Sequence, residues 1–218
     1  MRAASELGAY YSARAQEYDR VYAKPERQQD LREIERWLPV VFAGRSILEV
    51  ACGTGYWTQF LARVAKGVTA VDAASETLQI AKSRVTNTQI RFLVGDAYRL
   101  PVGERAFDGG FAGFWISHVP HSRLQEFLCE LHRTLVAGAR VVLLDNRFVA
   151  GSSTPIAERD EDGNTYQLRR LADGSTHRVL KNFPAESDLR KMLLPRCSDV
   201  RCHAWQYYWA LEYEIAAG

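Results

Sequence analysis

The sequence predicts an α/β domain built on a doubly wound, largely parallel sheet, and three observations carry that prediction. Short apolar runs alternate with segments of helical period from Ser46 to Leu144. A glycine turn, Gly53-Thr54-Gly55, joins the first of those runs directly to the helical segment after it. The run at residues 140–144 is almost wholly apolar, as in a strand covered on both faces.

Each element is justified by local pattern. Ahead of the sheet, Leu7, Tyr10 or Tyr11, Tyr18, and Val21 or Tyr22 recur every three to four residues, which predicts an amphipathic helix over 5–22. A second helix is expected from Pro25, a residue favoured in a first turn, through Leu31, Ile34 and Leu38, with Pro39 as its stop. Together they form an N-terminal helical lid over residues 1–43. The alternation then predicts strands at 46–50, 68–71, 90–94, 107–112 and 140–144, with helices at 57–65, 76–85 and 122–135 between them. Residues 151–164 read as a polar loop carrying a solvated charge run. Residues 166–172 and 175–182 flank Asp173-Gly174, a dipeptide suited to a two-residue turn, and form an inserted hairpin at 165–182. A helix at 185–194 and two aromatic-rich strands, 199–206 and 208–215, close the chain as an antiparallel pair. No repeat or linker divides the chain, so residues 1–218 are read as a single domain.

Composition narrows the function. The 218 residues are 47% apolar and 25% charged, ordinary values that argue against a disordered, collagenous or disulfide-stapled chain. Lys and Arg number 28 against 26 Asp and Glu, so no global field draws the protein to nucleic acid or a membrane surface. No apolar stretch approaches the roughly 18 residues of a membrane span, and the opening residues are too charged for a signal peptide. Four scattered cysteines fit a reduced, cytoplasmic protein. A metal is not expected: Cys197, Cys202 and His203 lack a matching second pair, and His118 with His121 lacks a third ligand.

The chemistry gathers at strand ends. Glu49 precedes the glycine loop, Asp72 ends the second strand and Asp96 follows the third, all on the edge where open α/β sheets bind ligands. A carboxylate at Asp72 suits both hydroxyls of a ribose, Asp96 suits an exocyclic adenine amine, and the Ala97 amide suits a ring nitrogen. Each acid is also placed to cap a helix, but three behind one glycine loop point to a nucleoside. A pyrophosphate loop wants GxGxxG, whereas Thr58 stands three past Gly55 and Glu49 would repel phosphate. The same acid attracts an ammonium, which favours S-adenosylmethionine (SAM) over NAD.

At these residues the sequence resembles the class I SAM-dependent methyltransferases, over essentially its whole length. Residues 49–55 resemble the first family motif, Asp72 the ribose acid, and Val94-Gly95-Asp96-Ala97 the adenine motif. Ala51 departs from a frequent glycine. The resemblance implies a Rossmann-like sheet of seven strands with the last antiparallel. It also implies cofactor contacts from Glu49, Ala51, Gly53, Gly55, Tyr56, Trp57, Asp72, Ala73, Asp96, Ala97 and Phe114. Residues 10–19, 52–58, His118-Val119-Pro120 and the Asp173-Gly174 hairpin are similar to phosphonate O-methyltransferases of the dehydrophos type. That similarity implies that the N-terminal helix closes over the cofactor through Tyr11, Arg14 and Tyr18, with Arg14 on the methionine carboxylate.

Methyl transfer from a sulfonium needs alignment, desolvation and sometimes a proton acceptor. His118, after the fourth strand, is the candidate for that acceptor, with local structural bonding as the competing reading. Tyr22, Trp115, Arg147, Arg169, Arg178 and Lys181 are candidate acceptor-site residues, and His118 is one as well. A two-residue turn would set Arg169 opposite Arg178, a like-charge pair that is tolerated when solvated or when an anion sits between the two. The expected acceptor is a small molecule methylated on O or N, with a phosphonate or carboxylate among the options, and the protein is expected as a monomer or homodimer. An NAD-dependent oxidoreductase, a noncatalytic SAM-binding protein and a nucleic-acid methyltransferase are the alternatives.

Overall fold

A computed structural model describes Asp19 and residues 21–171, 173–193 and 197–216. The expected helix at 5–22 lies almost wholly outside them, and so do Tyr11, Arg14 and Tyr18. The second helix, α1 (Gln28–Phe42), comes after a 3-10 turn at Pro25–Arg27 and does not stop at Pro39. A proline forfeits one backbone bond, but here the packing of Phe42 keeps the last turn in place. Phe42 is fully buried, edge-on to Phe111, and sits where Gly109 lacks a side chain: a Cβ there would lie 3.1 Å from the Phe42 ring.

The strands come next as β1 (Ser46–Val50), β2 (Gly67–Asp72), β3 (Ile90–Val94), β4 (Phe107–Gly113) and β5 (Leu135–Asn146). Between them lie α2 (Thr58–Leu61), α3 (Ser75–Arg84) and α4 (Leu124–Arg133). The chain continues with β6 (Glu158–Arg159), β7 (Thr165–Arg170), β8 (Thr176–Leu180), α5 (Glu186–Leu193), β9 (Cys197–Ala204) and β10 (Tyr208–Ile215). Seven strands form one sheet in the order β3-β2-β1-β4-β5-β10-β9, parallel through β5, with β10 antiparallel to both neighbours. This is the seven-stranded, doubly wound sheet expected.

Alternation along the strands fills two apolar layers, one on each face of the sheet. On one face, Val141 and Leu143 of β5 pack with Leu128 and Leu131 of α4. On the other, Val142 and Leu144 share a layer with Leu31, Ile34 and Leu38, the apolar stripe of α1. The helix ahead of the sheet thus covers the face opposite α4.

A second sheet, in the order β6-β7-β8, contains the expected hairpin and a third strand, β6, in the segment read as loop. The hairpin register also differs from expectation. Arg169 faces His177, and Leu168 faces Arg178. The closing pair is Leu171 with Ser175, and Gly174 takes a left-handed φ of +86°, so the turn is one residue longer than Asp173-Gly174 alone implies. That extra residue moves Arg178 to the opposite face of the hairpin from Arg169. No helix among the described residues is long and apolar enough to cross a membrane.

Candidate functional site

The order of strands reverses between β1 and β4, and the site lies beyond their carboxyl ends. On the β1 side the chain turns sharply. Ala51, Gly53 and Gly55 all have positive φ, at +56°, +55° and +75°. Gly55 is doubly constrained, because a Cβ there would also lie 3.0 Å from the Ala81 Cβ. Asp72 ties this loop to the next helix: it accepts from the Gly53 amide at 2.8 Å, the Ala74 amide at 2.9 Å and the Thr77 hydroxyl at 3.1 Å. Burial raises its pKa, and those donors oppose the rise. Ala73, beside it, is exposed.

Glu49 is buried beneath the loop, and the Thr58 hydroxyl donates to it at 2.7 Å. Burial, with the Asp72 charge adding, pushes its pKa up to about 8. No cation pairs with it among the described residues. Asp96 is exposed, and one of its oxygens accepts from the Tyr98 amide at 2.9 Å, while Ala97 is buried beside it.

The β4 side is aromatic. Phe114 sits at φ +60° with its amide donating to the Leu144 carbonyl at 2.7 Å. Its ring lies 5.6 Å from that of Tyr22 and 5.5 Å from that of Tyr208. Tyr22 in turn stacks on Tyr56 at 3.5 Å, and the Tyr56 hydroxyl donates to Glu35 at 2.6 Å. Trp57 packs edge-on to Tyr22 and Phe114, and Trp115 packs against Tyr98.

Beyond the aromatic rings lies a polar, cationic cluster. Lys181 is buried, and its ammonium donates to the Ser117 hydroxyl at 2.5 Å and Asp145 at 3.2 Å. Burial lowers its pKa to about 8, with Arg169 and Arg27 pushing the same way and Asp145 opposing. His118 is buried in the same cluster, with Nδ1 2.7 Å from the Leu180 carbonyl, so Nδ1 carries the proton and the lone pair of the neutral ring lies on Nε2. Arg169 donates to Gln167 Oε1 at 2.8 Å.

The fold therefore brings together Glu49, Ala51, Gly53, Gly55, Tyr56, Trp57, Asp72, Phe114 and Tyr22 on one side, and His118, Arg169 and Lys181 on the other. It does not bring in Arg178, which is exposed, pairs with Glu158 at 2.7 Å and covers the Tyr166 ring. Arg147 donates to the Trp205 carbonyl at 2.6 Å, at the turn between β9 and β10. Sequence reasoning missed Lys24, Arg27, Asp145 and Tyr208. Arg27 is buried and donates to Asn146 Oδ1 and Ser152 Oγ, each at 3.0 Å. Lys24 donates to the Ser152 carbonyl. The local signal for Arg27 was a basic residue at the start of an otherwise amphipathic helix, which ordinarily means solvent.

A family described as a methyltransferase domain matches residues 47–138. A demethylmenaquinone methyltransferase of Tropheryma whipplei (strain Twist) is 34% identical over 155 residues, covering 67% of this chain and 63% of the relative. One from Staphylococcus epidermidis is 35% identical over 106 residues, covering 47% and 43%. The chain thus spans less than two thirds of the length of these relatives. Among solved structures, a DhpI–SAM–HEP complex superposes with a TM-score of 0.79 at 26% identity, covering 96% of both chains. The PH0226 protein of Pyrococcus horikoshii superposes at 0.74 and 17% identity, covering 91% of this chain and 98% of that one. The domain match begins inside β1 and takes in the glycine loop, Asp72 and Asp96, and the superposition on a SAM-bound chain runs nearly end to end: the chain carries a methyltransferase domain on the fold of the SAM-dependent methyltransferases.

Proposed function

We propose that the chain transfers the methyl group of SAM to an anionic small molecule, on O or N. The observation that carries the cofactor half is Glu49, a buried carboxyl beside a glycine loop with no cation to meet it among the described residues. A ligand bearing an ammonium supplies what that carboxyl lacks. Asp72 and Asp96 would hold the ribose and the adenine amine, with Ala73 and Ala97 alongside. When bound, SAM supplies an electrophilic methyl on a cationic sulfur.

On the acceptor side, Arg169 and Lys181 favour an anion, and the DhpI neighbour was solved with both SAM and HEP. Trp115 and Tyr22 wall the space. His118, held through Nδ1 against the Leu180 carbonyl, is the residue proposed to take a proton from an acceptor that must lose one. A demethylmenaquinone-like acceptor, suggested by the curated relatives, would leave Arg169 and the buried Arg27, neither of which pairs with a carboxylate among the described residues, without a counter-charge. An NAD-dependent reaction would place pyrophosphate against Glu49.

The test is calorimetric binding of S-adenosylhomocysteine (SAH) to the wild type and to Asp72→Ala, with NADH as control. SAH binding that is lost in the variant supports the reading. Binding of NADH in place of SAH would overturn it. Phosphonates, carboxylates, N-heterocycles and a demethylmenaquinone are then compared as acceptors.

A further inference from the structure

Two buried polar groups on the acceptor side lack the partners their burial calls for. The Arg27 guanidinium is 4% exposed, yet its hydrogen bonds go to neutral oxygens of Asn146 and Ser152. No carboxylate pairs with it among the described residues. Glu26, exposed, reaches it only through Ser152, whose hydroxyl donates to Glu26 at 2.7 Å. Of the nearby buried acids, Asp145 is committed to Lys181, the Ser117 amide and hydroxyl, and the Asn146 amide, and Asp30 accepts from the Tyr207 amide at 2.8 Å. A buried cation without a counter-ion is costly, and folds do not retain one for stability.

The second group is Tyr208. Its side chain is fully buried, and its hydroxyl has no well-formed hydrogen bond among the described residues. Buried phenols ordinarily find one. Burial pushes its pKa up to about 12, and the Arg27 guanidinium opposes that rise through its charge and a loose, poorly aligned contact with the hydroxyl. Its ring lies between Phe114 at 5.5 Å and that guanidinium, whose carbon is 5.8 Å from the ring centroid. Strand pairing also sets Tyr208 directly opposite Asn146, the residue that orients Arg27.

We propose that Arg27 and Tyr208 form a seat for an oxyanion of the methyl acceptor, the guanidinium supplying charge and the phenol a single directed hydrogen bond. Carboxylate, phosphate and phosphonate share the required chemistry. That the anion belongs to a methyl acceptor rests on the methyltransferase reading, while the seat itself rests on these two residues.

The test titrates inorganic phosphate and, separately, acetate into SAH-saturated protein, read by calorimetry and by melting temperature. Three proteins are compared: wild type, Tyr208→Phe and Arg27→Met, the last keeping an unbranched apolar chain over the tyrosine rings. The expected result is anion binding by the wild type, weakened about tenfold in Tyr208→Phe and more in Arg27→Met. SAH affinity stays unchanged in Tyr208→Phe, and that variant melts no lower than the wild type. A merely structural tyrosine would instead lower the melting temperature when its hydroxyl is removed. The arm that binds separates a tetrahedral from a planar oxyanion. The seat is overturned when neither anion binds the wild type, when either variant keeps wild-type anion affinity, or when Tyr208→Phe is destabilised. Wild-type protein that binds anion but not SAH keeps the seat and removes the methyltransferase reading.

Discussion

At Ala51 the backbone holds φ +56°, a left-handed conformation that costs a residue with a Cβ about 1–2 kcal/mol. The departure from glycine at this position is therefore a strained one, and Ala51→Gly is expected to raise the melting temperature by about 2–4 °C without weakening SAH binding, measured by calorimetry on the folded protein. Glu49 makes a second residue-scale prediction. Its folded pKa, about 8, lies above its ordinary value of 4.5, so near neutral pH the folded state holds a proton that the unfolded state has lost. Stability from this group is present below about pH 4.5 and falls away as pH rises toward 8. A ligand ammonium reverses that shift, so SAH binding at pH 7 is expected to release close to one proton. Calorimetry in buffers of different ionisation enthalpy measures it, and Glu49→Gln abolishes it. At His118, the Asn variant keeps a donor for the Leu180 carbonyl but offers no basic nitrogen. For an acceptor that must lose a proton, kcat falls about a hundredfold while SAH affinity holds.

Among the elements, the inserted sheet divides its arginines between two faces. Arg169→Ala is expected to raise the KM for an anionic acceptor about tenfold, and Arg178→Ala to leave it unchanged, because Arg178 is engaged by Glu158 and Tyr166. Steady-state kinetics with the acceptor found by screening decides between them. The hairpin itself was legible from Asp173-Gly174, but its register was not. A dipeptide marks where a turn falls, while the turn's length, and so which side chains share a face, depends on how Leu171 and Ser175 close. Helix α1 shows the same limit: Pro39 is a local stop signal overruled by Phe42 packing against Gly109 and Phe111, residues of β4 that the local pattern does not see. The parallel strands and the glycine loop were readable because periodicity and turn chemistry are properties of a few consecutive residues.

Across the whole molecule, the two sides of the site were unequally legible. The proposed nucleoside side lies almost entirely within residues 49–97, each acid standing near the carboxyl end of its own strand, so sequence order alone is enough to propose it. The acceptor side joins the start of α1, the end of β5, β8 and β10, with Arg27 reaching Asn146 across 119 residues and Lys181 reaching Ser117 across 64. No local motif announces such a meeting. The inserted sheet is tied to the body through both of its ends. The Leu180 carbonyl meets His118, the Asn182 amide donates to the Ser117 carbonyl, and Lys181 reaches Ser117 and Asp145. Asn164 accepts from the His121 amide, and the Asn182 side chain donates to the Val119 carbonyl. On the body these anchors gather on residues 117–121 and the end of β5, which makes residues 158–182 a graftable cassette. Exchanging that cassette between homologues while preserving the anchors would redirect the protein to new acceptors and leave the nucleoside side untouched.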